Sequence, residues 1–366
     1  MRIEDLYSLF CAYPKVVKDT RLHVEDSIYF SLKGGNFDGN VYASDALDKG
    51  AAYAVIDDEK FKTDDRMILV DDALKALQNL ATYHRRKLGV PILALTGSNG
   101  KTTTKELIYG VLSQKYRCRA TQGNYNNHIG VPLTLLQMDE STEIGVVEMG
   151  ANNPGEIAAL CDIAYPDYGY ITNFGRVHLE GFGSLQGVIE GKTEMYRHLA
   201  AHDKTVFVNA PDPVQMERSA SMKRYVIGKV KESGADDPGC HVRFIDADPF
   251  VRMGFEGLEI RSDLIGAYNY QNMAAAACIG KYFEVNMKDI AKGLESYRPS
   301  NNRSQVIQRG SNTIILDAYN ANPNSMEAAI ANLKGLGAKK KVAVLGDMFE
   351  VGADSAMEHQ KIAELI

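Results

Sequence analysis

The segment PILALTGSNGKTTTKELIYGVLSQKY (91–116) constrains the fold more than any other. A short apolar run, Ile92 to Leu95, reads as a buried strand. A glycine-bearing turn follows, and then apolar residues recur at Leu107, Ile108, Val111, Leu112 and Tyr116, the spacing of a helix face. A buried strand feeding straight into a helix is the building block of an α/β sheet. In such a turn the backbone N–H groups, here those of Gly97, Ser98, Asn99, Gly100, Thr102 and Thr103, are expected to point at phosphate oxygens, where the helix dipole adds positive potential. Lys101 is placed to reach the terminal phosphates of a nucleotide, and Thr102 to hold Mg²⁺. The match is GxxGKT rather than the general GxxxxGK[ST], because Leu95 stands where the first glycine would be. The competing reading is a plain strand-to-helix turn with a solvated lysine.

Further strand patterns occur in EIGVVEMG, YGYITNF and KTVFVNA, with helical stretches between them. Strands alternating with helices imply a doubly wound, mostly parallel sheet. Ahead of it, DSIYFSLKG and AAYAVID read as strands and ALKALQNLATYHRRKL as a helix with a basic end. After the turn-rich stretch Arg298–Asn302, TIILDAY reads as strand, SMEAAIANLKGL as helix, KKVAVLGDM as strand and HQKIAELI as helix. The expected organisation is α/β in three domains. A small α/β unit covers 1–85, a central phosphate-loop unit covers 86–300, and a partial Rossmann-like unit covers 301–366. The last is short for a domain and is expected to be truncated.

The 366 residues carry 41 Lys and Arg against 47 Asp and Glu, a net charge of −6. That balance weighs against nucleic-acid binding and against anionic membranes. The five cysteines, Cys11, Cys118, Cys161, Cys240 and Cys278, show no CxxC pair, so neither a disulfide framework nor a zinc site is expected. Glu4 and Asp5 sit where a signal peptide would be basic, and no apolar run is long enough to span a bilayer. A soluble cytoplasmic chain, with no membrane insertion, is the expectation.

A phosphate loop needs a second magnesium ligand, commonly a carboxylate at the end of another strand. Glu148, closing the run Ile144-Gly-Val146-Val147, supplies one at the strand end where ligands bind in such sheets. Beside the loop this outweighs a helix-capping role.

GNYNNHIGVPLTLL (123–136), VEMGANNPGEI (147–157), ITNFGRVHLEGFGS (171–184), EGKTEMY (190–196), DAYNANPNSM (317–326) and LGDMFEVG (345–352) together resemble the Mur ligases, the ATP-dependent amide-forming enzymes of peptidoglycan synthesis. YNANPNSM and GNYNNHIGVP are most similar to the MurF branch. The resemblance covers nearly the whole chain. It implies a UDP-substrate domain, an ATP domain and an amine-substrate domain in that order. It also implies ATP and two Mg²⁺ ions as cofactors, and a monomer. Its substrates would be UDP-N-acetylmuramoyl-tripeptide and D-alanyl-D-alanine, joined through an acyl phosphate. Rivals are another Mur-type or folylpolyglutamate-type ligase, and a nucleotide-binding fragment with little turnover.

Residue by residue, the resemblance implies that Lys101, Thr102 and Glu148 serve the γ-phosphate and first metal. His178 would hold a second metal, and Lys192 would carry a carbamate that bridges to magnesium. Asn269 and Asn272 match positions near the adenine, although Tyr268 stands where histidine is common. Asn209 and Asp212 resemble a strand-end nucleotide contact, and Arg303 matches a hinge arginine that reaches ATP. Asn126, Asn127 and His128 would face the γ-phosphate or the acceptor carboxylate, with turn formation as the open alternative. Thr20, Arg21, Lys33 and Asp38 lie in loops resembling the UDP-sugar site. Asp317, Tyr319, Asn320 and Asn322 match the loop that faces the amine, with Leu316 replacing the family's first aspartate. Glu350 and His359 match motifs without an assigned role.

Overall fold

The structure is a computed structural model and describes residues 1–228 and 238–366. The first unit is a four-stranded parallel sheet of Lys15–Val17, Ser27–Phe30, Tyr53–Ile56 and Met67–Leu69, in that spatial order. The helix Ala73–Leu88 leads out of it. Asp72 starts this helix by accepting from the Lys75 N–H at 2.8 Å, a cap worth about 1 kcal/mol. Gly89, at φ 64°, ends it in the left-handed conformation that suits glycine.

The central sheet has seven strands, all parallel. Its spatial order is Gly239–Cys240, Lys223–Ile227, Thr205–Asn209, Tyr168–Ile171, Ile92–Thr96, Ile144–Glu148, Cys118–Ala120. Both faces are covered, and the strands show it in their alternation. Ile92 and Ala94 point into one apolar core, and Leu93 and Leu95 into the other. A three-stranded antiparallel meander, Val242–Ala247, Phe250–Phe255 and Leu258–Ile265, closes the second core with the helices Lys101–Leu112, Asn269–Tyr282 and Met287–Glu295. The sequence showed no clear sign of this meander.

Two expectations for the C-terminal unit are corrected. The strand Asn312–Leu316 pairs antiparallel with Gln305–Arg309, as a hairpin rather than as part of a parallel sheet. The run KKVAVLGDM forms no strand. Val342 and Val344 are 82% and 92% exposed, and no ladder partner lies beside them among the described residues. An apolar run becomes a strand only where a neighbour takes up its backbone N–H and C=O groups. The helices Pro323–Gly335 and Ser355–Glu364 do form, and Ile330, Met348, Val351 and Ile362 make a small core between them.

Candidate active site

The chain leaves the strand Ile92–Thr96 toward the Cys118 edge of the sheet and leaves Tyr168–Ile171 toward the Gly239 edge. The crevice between two such strands is where open α/β sheets bind ligands. The loop Gly97–Gly100 fills its mouth. A Cβ on Gly97, at φ 146°, would lie 1.9 Å from Thr172 Oγ1, so glycine is required there. The Ser98 and Asn99 N–H groups donate to Asn173 O and Oδ1, each at 3.0 Å, and Thr172 Oγ1 donates to Asn99 O at 2.7 Å. Those two amides are therefore engaged by the neighbouring loop. The N–H groups of Lys101, Thr102 and Thr103, in the first helical turn, have no intrahelical acceptor and remain for an anion. Lys101 Nζ curls back to Gly97 O at 2.8 Å and Ser98 O at 3.1 Å. Burial lowers its pKa, Glu148 opposes that shift and Arg303 adds to it.

Glu148 is 1% exposed. Its Oε1 accepts from Thr102 Oγ1 at 3.3 Å and from Asn126 Nδ2 at 2.8 Å, and its backbone N–H donates to Thr121 Oγ1 at 3.0 Å. Its Oε2 is buried without a hydrogen-bond partner. A buried carboxylate oxygen without a partner is costly unless a cation meets it. The Thr102 hydroxyl beside it completes a hard-oxygen donor set. Among the described residues, no group of three or more His, Cys, Asp and Glu forms a cage for a metal. Magnesium typically takes one or two carboxylates and draws its other ligands from phosphate and water, so the donors present fit it.

His178 follows the strand Tyr168–Ile171 and holds φ 49°, unusual for a residue with a Cβ. Its Nδ1 is in ion-pair contact with the Glu350 carboxylate of the C-terminal unit, without an aligned hydrogen bond. Burial lowers its pKa, and the Glu350 charge opposes the shift. Lys192 is fully buried, with Nζ 3.5 Å from Ala151 O and 5.3 Å from the Phe182 ring centroid. Burial, followed by repulsion from Lys101, pushes its pKa down to about 7, against the pull of Glu156 and Glu194.

The other expected residues divide by what they touch. Asn126 belongs to the carboxylate site. Asn127 forms a turn, its Oδ1 accepting from Ile129 N and Gly130 N, and His128 O accepts from Gln78 Nε2. Asn269 and Asn272 are buried brackets: Asn272 Nδ2 donates to Asn269 Oδ1 at 2.8 Å, and Thr104 Oγ1 donates to Asn272 Oδ1 at 3.0 Å. They fix the helix Asn269–Tyr282 against the helix that begins at Lys101. Asn209 joins Tyr170 to Thr172 O, and Asp212 caps the helix Pro213–Arg218.

Arg303 stacks 3.7 Å over the Tyr319 ring, and Asp317, its pKa raised by burial, accepts from Ser304 N. Asn322 Nδ2 donates to Asn99 Oδ1 at 2.7 Å, which sets the C-terminal unit directly on the phosphate loop. Asn320 Oδ1 accepts from Ala321 N. Thr20, Arg21, Lys33 and Asp38 make contacts inside the first unit. Arg21 pairs with Asp19 and Lys33 with Asp57, each at 2.7 Å. Lys49 reaches Thr20 O, and Asp38 accepts from Asn40.

Sequence reasoning missed three members of this architecture. Lys105, fully buried, donates to Thr121 O at 2.5 Å, and Asn173 holds the phosphate loop. Arg176 joins Glu327 and Glu358 at 3.0 and 2.9 Å. Lys105 lies three residues after Thr102, on the same helix side, and that spacing was the available clue.

The family model described as "Mur ligase middle domain" matches residues 95–280, and that described as "Mur ligase, glutamate ligase domain" matches 302–366. The UDP-N-acetylmuramoyl-tripeptide–D-alanyl-D-alanine ligase of Bacillus subtilis (strain 168) is 38% identical over 363 residues, covering 96% of this chain and 77% of the relative. A crystal structure of MurF from Acinetobacter baumannii superposes with a TM-score of 0.84 at 30% identity, over 96% of this chain and 78% of that one. The MurF ligase of Thermotoga maritima, solved in complex with ADP, gives 0.81 at 28% identity, over 97% and 82% of the two chains. With a phosphate loop, a buried carboxylate and these relatives in agreement, the chain belongs to the Mur ligase family.

Proposed function

We propose that this chain is the ATP-dependent ligase that joins D-alanyl-D-alanine to UDP-N-acetylmuramoyl-tripeptide in peptidoglycan synthesis. The observation that carries this is Glu148, whose Oε1 accepts from Thr102 of the phosphate loop while its buried Oε2 is left without a partner. The named activity of the relatives supplies the substrates.

A carboxylate is a poor electrophile with a bad leaving group. An oxygen of the tripeptide's terminal carboxylate attacks the γ-phosphorus of ATP, and ADP leaves. The amine nitrogen of D-alanyl-D-alanine then attacks the acyl carbon, phosphate leaves, and the nitrogen loses a proton. Both reactants of the first step are anions. Lys101 leaves Gly97 O and Ser98 O for the phosphates, while the first-turn N–H groups orient them. Thr102 and Glu148 would hold one Mg²⁺ and His178 and a carbamylated Lys192 a second; bound there, the ions offset phosphate charge. Asn126 fixes the Glu148 carboxylate. Residues 1–85 would hold the UDP end, 86–300 ATP, and 301–366 the amine. The protein would act in the cytoplasm as a monomer. No helix among the described residues is long and apolar enough to cross a membrane.

Phosphate release is expected only when ATP, UDP-N-acetylmuramoyl-tripeptide and D-alanyl-D-alanine are all present, with the amide product seen by mass spectrometry. ATP hydrolysis indifferent to both acceptors would favour a nucleotide-binding fragment instead. Glu148→Gln keeps the shape and removes the charge. It should lower turnover on the order of 10²–10³-fold and weaken Mn²⁺ binding by the ADP complex in a titration. Unchanged metal affinity would remove Glu148 from the site.

A further inference from the structure

The His178–Glu350 pair joins two units that are far apart in sequence, and nothing in the proposed chemistry yet uses Glu350. Both residues hold left-handed backbone, at φ 49° and 62°, and such conformations persist where surrounding contacts enforce them. The loop that presents Glu350 is fixed from its own side. Met348 and Val351 are buried in the small C-terminal core, and Met348 N donates to His359 Nε2 at 3.0 Å. It is fixed from the central unit as well, since Glu180 N donates to Glu350 O at 3.5 Å.

The same two units meet again nearby. Asn322 donates to Asn99, Arg176 N donates to Asn324 Oδ1 at 2.8 Å, and the Arg176 guanidinium spans Glu327 and Glu358. Both Asn99 and Arg176 lie on the loops that flank the crevice.

We propose that Glu350 is a positioning residue for His178: its carboxylate, in ion-pair contact at Nδ1, favours the ring with Nδ1 protonated and leaves Nε2 as the nitrogen offered to the second cation, so that this ligand is set only when the C-terminal unit is docked. The proposal rests on the ligase reading above. A histidine that serves as a metal ligand commonly gives its other ring N–H to a carboxylate, which fixes tautomer and orientation. Here that carboxylate comes from the amine-binding unit. Docking of that unit then completes the centre at which ATP is broken, and an undocked enzyme forms no acyl phosphate for water to hydrolyse.

The test is a double-mutant cycle in the full chain with Glu350→Ala, His178→Ala and the pair, together with Glu350→Gln. Glu350→Ala should lower kcat by about 10–100-fold and leave KM for ATP within about two-fold. Mn²⁺ titrated into the ADP complex should bind one site more weakly by a similar factor. Glu350→Gln keeps an accepting oxygen and should fall between Ala and parent. In the His178→Ala background, Glu350→Ala should cost nothing more. Additive losses, or a Glu350→Ala enzyme with parental kcat and Mn²⁺ affinity, would overturn the proposal. If Glu350→Ala fails to fold, the isosteric Glu350→Gln decides through the same kcat and Mn²⁺ readings. A parent that makes no amide overturns the ligase reading, while the Mn²⁺ cycle still decides the role of Glu350.

Discussion

Lys101→Met is expected to lower ligase turnover on the order of 10³-fold, with little change in thermal stability. The side chain sits at the first position of its helix, and its ammonium donates to two carbonyls of its own loop, Gly97 O and Ser98 O. Those contacts are local, so methionine removes the charge and keeps the stem. What disappears is a lysine positioned to follow negative charge as it shifts from the β,γ-bridge to the transferring group. Its pKa, lowered by burial and sustained by Glu148, marks a cation held in a poorly solvated place, where it acts strongly on a phosphate. Steady-state phosphate release and calorimetry with a non-hydrolysable ATP analogue check this together. A variant within three-fold of the parent in both would remove the phosphate loop from the chemistry.

The second large effect concerns Lys192. A fully buried ammonium with a long, 3.5 Å hydrogen bond to Ala151 O is poorly compensated, and its pKa of about 7 reflects that. Near neutral pH a large share of the amine is uncharged and nucleophilic. Addition of carbon dioxide turns the side chain into an anion, and the repulsion from Lys101 becomes attraction. Lys192→Ala is therefore expected to lose on the order of 10²–10³-fold in turnover, with partial recovery in millimolar short carboxylic acids that occupy the vacated space. With ¹³C-labelled bicarbonate, the parent should show a carbamate carbon resonance that Lys192→Ala lacks. The sign with pH follows from the lowered value. Below about 7 the amine is protonated and has no lone pair to offer, so the resonance should fade as pH drops through that region. No resonance at any pH, together with a fully active Lys192→Ala, would leave Lys192 as packing.

Much of this was legible in the sequence because the central unit obeys short-range rules. The strands ending at Thr96, Glu148 and Ile171 are apolar runs bounded by turns, and parallel strands buried on both faces take that form. The helix Ala73–Leu88 follows its apolar spacing, its Asp cap and its Gly stop. The meander over 242–265 was not legible, since Arg243, Asp246, Arg252 and Arg261 interrupt its apolar pattern, and Arg252 meets Asp246 and Glu259 only once the strands are adjacent. The run at Val342 misled because pattern reports strand propensity and says nothing of a neighbour. In the site, Lys101, Thr102 and Glu148 were found from chemistry at known spacing. The bond from Asn322 to Asn99 was not, because it spans 223 positions and depends on tertiary docking. Asn127 and Asn272 carried the right letters, and the structure uses their amides to brace turns and helices.

The helix Ala73–Leu88 has one further consequence. Leu77, Leu80 and Ala81 belong to a single apolar core that takes Leu6, Phe10 and Phe30 from the first unit and Ile92, Val131 and Leu160 from the central one. Its Arg85 is tied to Asp167 at 2.6 Å. Pivoting the N-terminal sheet would tear oil from oil, whereas the C-terminal helices adhere through amides and ion pairs that water can replace. Any relative motion is therefore expected at one end of the molecule: the first two sheets form a stationary anvil, and the expected pivot is the left-handed backbone at Asn301, Asn302 and Ser304.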